Sequence, residues 1–132
     1  MKQGKPDPEI IGAMLEKARE KLASARVCLD AGYFDDAASR AYYAAFHAVS
    51  AALGAKGLAY SSHGQTLGAF NREFVQTGLL DPVAFRRLQT LFTSRQTGDY
   101  DASSSISRSQ AEQSVSDAQW LIAECQRLIG AQ

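Results

Sequence analysis

Proline is scarce in this chain of 132 residues: only Pro6, Pro8 and Pro82 occur, and the last two directly follow aspartates. They mark helix starts and leave every helix interior unbroken. The two cysteines, Cys28 and Cys125, are too few for a disulfide-stapled scaffold. Each falls among apolar helical positions and reads as a small core residue. No segment alternates as a half-buried strand would. Charge of one sign is not in excess: 14 Lys+Arg face 14 Asp+Glu, so no global field draws the chain to nucleic acid or membrane, and only a local basic patch is left open. No apolar run approaches the ~18 residues of a membrane span. The two histidines, His47 and His63, lack clustered acids or cysteines, so no metal site is expected. No glycine-rich phosphate loop precedes a helix, which excludes a P-loop. No cofactor is expected. With so few cysteines and no signal peptide, the reducing cytoplasm is the expected compartment.

What the chain does contain is alanine, leucine and helical periodicity. Its length fits one domain, 1–132, with a core that needs no staples. Residues 1–7 read as a polar lead-in that frays. Asp7-Pro8-Glu9 is a helix start: a capping aspartate, proline in the first turn, then an acid at the positive dipole end. Ile11, Leu15, Ala18, Leu22, Ala25 and Leu29 form one apolar stripe that ends at Ala31-Gly32. The next helix follows at once, with Asp35 or Asp36 as cap and Phe34 as staple, and stops at Gly54. So short a connection makes the two helices antiparallel neighbours. After the turn Ser61–Gly64 comes a third helix with Leu67, Phe70 and Phe74, closed by Gly78. Asp81-Pro82 starts a fourth, with Phe85, Leu88, Leu91 and Phe92 inside and Arg86, Arg87 and Arg95 on a basic side. Gly98–Ser105 reads as a polar loop. A serine at 107 or 109 then starts the last helix, striped by Ala111, Val115, Ala118, Ile122, Cys125 and Ile129. The expected fold is all-α: an up-and-down four-helix bundle with an additional short helix.

The second helix carries two unlike faces. Tyr42, Ala45, Phe46, Val49 and Leu53 make the stripe that faces a core. Asp36, Arg40, Tyr43, Ala44, His47 and Ala51 lie on the opposite side. Alanines outside the core stripe let another backbone approach, so this side is expected to meet a second helix or a ligand.

The stretch SRAYYAAFH at 39–47 resembles the signature of the HEPN domains, helical proteins of prokaryotic toxin–antitoxin pairs. Ser62-His63-Gly64, Arg95 and Gly98-Asp99-Tyr100 match in order, and the resemblance spans about residues 8–130. It implies a four-helix bundle that dimerises, often beside a separately encoded minimal nucleotidyltransferase. Many members are metal-independent ribonucleases that use an arginine and a histidine separated by four to six residues. Arg40 and His47, separated by six, fit that pattern as the catalytic pair. The chemistry suits them. Histidine titrates near neutral pH and can take the proton of a 2′-OH, and an arginine fork matches phosphate oxygens. Seven residues on one helix differ in height by ~10 Å, so a symmetric dimer that pairs Arg40 of one copy with His47 of the other is expected. Asp36, Tyr43, His63, Arg95, Asp99 and Tyr100 are the residues expected to contact RNA or a partner, Tyr43 by stacking a base or donating a hydrogen bond. A plainer reading stands beside this one. Arg40, His47 and Asp36 form an ion-pair ladder across a dimer interface, His63 bonds backbone at its helix entry, and Arg95 with Asp99 pins the loop to the bundle. The chain is then a non-catalytic module that binds the nucleotidyltransferase.

Overall fold

Asp7 caps the first helix as its sequence predicts. In the computed structural model, which describes residues 2–4, 6–100, 102 and 105–131, its carboxylate accepts a hydrogen bond from the Glu9 amide at 2.9 Å. Helix α1 (Pro8–Ala31) ends at Gly32, whose φ of 86° is the left-handed conformation that favours glycine. Only Gly32 and Tyr33 separate it from α2 (Phe34–Gly54). Tyr33 stands at the cap position of α2 and supplies no side-chain bond. Asp35, an expected cap, instead reaches across the bundle and accepts from the Ile106 amide at 2.8 Å.

Helix α3 (His63–Phe70) is capped by Ser62 and runs on into a π-helical turn, Asn71–Val75. Helix α4 (Val83–Tyr100) starts where Asp81 accepts from the Val83 amide at 2.8 Å. It continues through Gly98–Tyr100, which the sequence reading gives to a loop. Contacts within α4 and to α2 hold that last turn in place. Asp99 pairs with Arg95 one turn earlier. Gly98 lies against α2 so closely that a Cβ there would sit 3.3 Å from the Asp35 Cα. Helix α5 (Arg108–Gly130) opens with a full capping box between Ser107 and Gln110. The lead-in expected to fray takes part in a two-residue antiparallel pair, β1 (Lys2–Gln3) on β2 (Leu58–Ala59).

The long helices α1, α2, α4 and α5 form the bundle, with short α3 between α2 and α4 in sequence. The central helix is α2, packed against α1, α4 and α5. Its alanines explain how: Ala37, Ala38, Ala41, Ala44, Ala45, Ala48, Ala51 and Ala52 are all fully buried, so three neighbours approach at short interaxial distance. Ala44 and Ala51, on the side expected to meet a second helix or a ligand, are covered by the chain's own helices. Tyr42, Leu53, Phe70, Phe74, Leu88, Leu91 and Leu121 fill the core. Burial pushes the Cys125 thiol up to about 12, so it behaves as a small apolar residue. Among the described residues no helix is long and apolar enough to cross a membrane.

Candidate functional site

Two groups of polar side chains are built on α2, the second completed by residues of α3 and α4. The first is the pair Arg40 and His47. Arg40 is exposed, and among the described residues no acid pairs with its guanidinium. Asp36 is exposed as well, and the i, i+4 ion pair expected between them is not formed. His47 is half-buried. Burial holds its imidazole below the usual histidine range, helped by the charges of Lys21 and Lys17 on α1. It is therefore neutral at pH 7 and able to accept a proton. Two helical turns separate the pair, a rise of about 10.5 Å. One chain by itself does not bring both to one phosphate.

The second group gathers Tyr42, Tyr43, His63, Arg95 and Asp99. The Tyr42 hydroxyl is 2.7 Å from His63 Nδ1. Burial raises the Tyr42 phenol well above its ordinary value, so it keeps its proton. Burial and the Arg95 charge lower His63, so that ring is neutral. The phenol accordingly donates to Nδ1, and the His63 proton sits on Nε2. The His63 ring stacks on Phe46 with centroids 4.3 Å apart. Arg95 donates to the Tyr43 hydroxyl at 2.7 Å and to Asp99 at 3.0 Å, and its guanidinium lies over the Tyr43 ring at 5.2 Å. Ser39 donates to the same Asp99 carboxylate at 3.3 Å.

Four residues singled out from the sequence thus meet at one place: Tyr43, His63, Arg95 and Asp99. Arg40 and Asp36 stand outside it, and His47 meets its edge through Phe46, with ring centroids 6.4 Å apart. Tyr100 ends α4, and its side chain lies outside the described residues. His63 bonds a core phenol rather than backbone. Tyr42, Ser39 and Phe46 complete the cluster, and sequence reasoning assigns Tyr42 and Phe46 only to the core. A tyrosine on a core stripe is itself a signal, because a buried hydroxyl requires a partner. Among the described residues no three His, Cys, Asp or Glu side chains are grouped so as to hold a metal ion.

The HEPN domain family matches residues 11–128, a span that includes both groups. A UPF0332 protein of Thermotoga maritima is 44% identical over 92 residues, 70% of each chain. A Methanocaldococcus jannaschii protein named "Putative toxin MJ0142" is 34% identical over 99 residues, 75% of this chain and 67% of its own. The crystal structure of TT1696 from Thermus thermophilus superposes with a TM-score of 0.76 over 89% of this chain and 97% of that one. At 20% identity this shows a shared fold. The chain belongs to the HEPN domain family.

Proposed function

We propose that this chain is the toxin-like member of a two-component pair in the cytoplasm, and that it cleaves RNA without a metal as a homodimer. The observation that carries the reading is the state of the Arg40–His47 pair. An uncommitted guanidinium and a neutral imidazole line one side of one helix, too far apart to act within a single copy. A two-fold arrangement would set Arg40 of one copy beside His47 of the other. His47 then takes the proton of a 2′-OH, and the 2′ oxygen attacks the adjacent phosphorus. The bond to the 5′ oxygen of the next nucleotide breaks, that oxygen takes up a proton from water, and a 2′,3′-cyclic phosphate is left. Arg40 balances the charge that builds on the phosphoryl oxygens. The name of the relative "Putative toxin MJ0142" supports the toxin side of this reading.

A second reading draws on the same separation. If no dimer closes the gap, the chain is a non-catalytic helical module that associates with a minimal nucleotidyltransferase. Incubation of purified protein with RNA in excess EDTA decides between them. Products ending in 2′,3′-cyclic phosphate, absent with Arg40→Ala and His47→Ala proteins of unchanged helicity, support the ribonuclease. RNA left intact by the wild type, with or without divalent metal, contradicts it.

A further inference from the structure

The antiparallel packing of α1 and α2 can be read as a register. Gly54, at the end of α2, faces the start of α1: a Cβ there would meet the Ile11 Cδ1 at 2.8 Å. By that register His47, two turns back along α2, is level with Ala18, two turns along α1 and between Lys17 and Lys21. Two turns further back Arg40 is exposed. On α1, Ile10, Met14, Lys17 and Lys21 follow one another at i, i+4, i+7 and i+11, a single stripe. The seam between the helices therefore carries three features in order, at steps of about 10 Å: an apolar cavity, two lysines at the level of His47, and Arg40.

The cavity measures about 490 Å³ and is lined by Ile10, Met14, Leu53, Leu58, Tyr60 and Ser50, among others. That size lies within the roughly 300–1,000 Å³ typical of small-ligand sites. Ile10 stands at 58% exposure. Asp7 also lines the cavity, with its carboxylate engaged by the Glu9 amide. A carboxylate at that point repels phosphate and leaves the space to an uncharged group. Among the described residues neither lysine has an ion-pair partner, whereas the nearby Glu16 is held by Arg19.

We infer that the α1–α2 seam serves as a groove, a track for single-stranded RNA, in which Lys17 and Lys21 bind phosphates beside His47 and the apolar cavity receives an unstacked base. Charge complementarity selects this occupant. Single-stranded RNA alternates anionic phosphates with flat apolar bases, and the groove alternates cations with an apolar cavity that includes a tyrosine. The inference rests on the ribonuclease reading above, and it adds residues outside the Arg40–His47 pair.

The test is fluorescence anisotropy of a short labelled 2′-O-methyl oligonucleotide, which cannot be cleaved, titrated with the full chain at several salt concentrations. Lys17→Ala/Lys21→Ala is expected to bind roughly 10-fold more weakly. Its plot of log affinity against log salt should be shallower by about 1.4, two phosphates at ~0.7 each. Tyr60→Leu should weaken binding by roughly 5-fold, the low end of base stacking, with the salt slope unchanged. Circular dichroism confirms that the variants are folded. A double-lysine variant with wild-type affinity and slope overturns the track, and if the wild type still cleaves RNA the ribonuclease reading survives that loss. Binding with the expected slopes but no cleavage keeps the track and removes the catalysis. A wild type that neither binds nor cleaves overturns both.

Discussion

The Tyr42 hydroxyl meets the Nδ1 of His63 at 2.7 Å, joining the core face of the central helix α2 to the first residue of α3. The bond gives a fully buried phenol its partner and fixes the tautomer of a half-buried histidine. It also holds the His63 ring flat against Phe46.

Removing His63 leaves the buried hydroxyl unpaired and deletes the stacked ring. His63→Ala is therefore expected to cost about 2–3 kcal/mol of folding stability. Tyr42→Phe should cost only about 1 kcal/mol, because a half-exposed imidazole can turn to water. Urea unfolding of the two variants measures the difference, and equal losses would contradict the assigned donor and acceptor.

Arg95 ties the end of α4 to α2 through Tyr43 and Asp99, with its side chain only 13% exposed. Arg95→Ala is expected to cost about 1.5–3 kcal/mol, the range for hydrogen bonds to a charged group. The loss should be local. Hydrogen exchange should accelerate over residues 95–100 and at the Ile106 amide, while α1 keeps its protection. Uniform acceleration through the bundle would show that the cluster holds the whole fold.

The histidines set a pH dependence whose sign can be worked out. Both imidazoles lie below 6.5 in the folded chain, chiefly through burial. As pH falls the unfolded chain takes up these protons first, so the folded state loses ground. Their contribution to stability is complete above about pH 6.5 and is lost as pH drops through the folded values. The melting temperature should therefore fall between pH 7 and pH 5.5. The fall should shrink in His47→Gln/His63→Gln. A melting temperature that rises toward acid would contradict this.

Lys17 and Lys21 contribute to the depression of His47, after burial. In Lys17→Ala/Lys21→Ala the imidazole should titrate closer to the ordinary histidine value, as followed by NMR of its ring protons. His63, which is depressed by burial and by Arg95, should not move. An unmoved His47 would place the lysines too far away to share its groove.

How much of this is legible in the sequence depends on the range of each interaction. Asp7, Gly32 and Ser107 mark helix ends through bonds to backbone a few residues away, so the local sequence carries them. Gly98–Tyr100 has loop composition, yet it is helical because Asp35, some sixty residues earlier, packs against Gly98. Asp35 looks like a cap for its own helix and instead holds the Ile106 amide. Periodicity tells correctly which residues of α2 share a side. It cannot tell that α2 is the central helix, so Ala44 and Ala51 look open when the chain itself covers them. The gathering of Tyr42, Tyr43, His63, Arg95 and Asp99 joins three helices and has no local signature.

The central claim is that Arg40 and His47 act together across two copies, and subunit mixing tests it most directly. Arg40→Ala and His47→Ala proteins, each inactive alone, are unfolded together, refolded as a mixture and assayed for RNA cleavage in EDTA. A mixed dimer contains one intact site, made of Arg40 from one copy and His47 from the other. Half of the dimers are mixed, so roughly a quarter of the wild-type activity should return. A mixture as inactive as its parents, beside an active wild type, would contradict the shared site, and an inert wild type would contradict catalysis altogether.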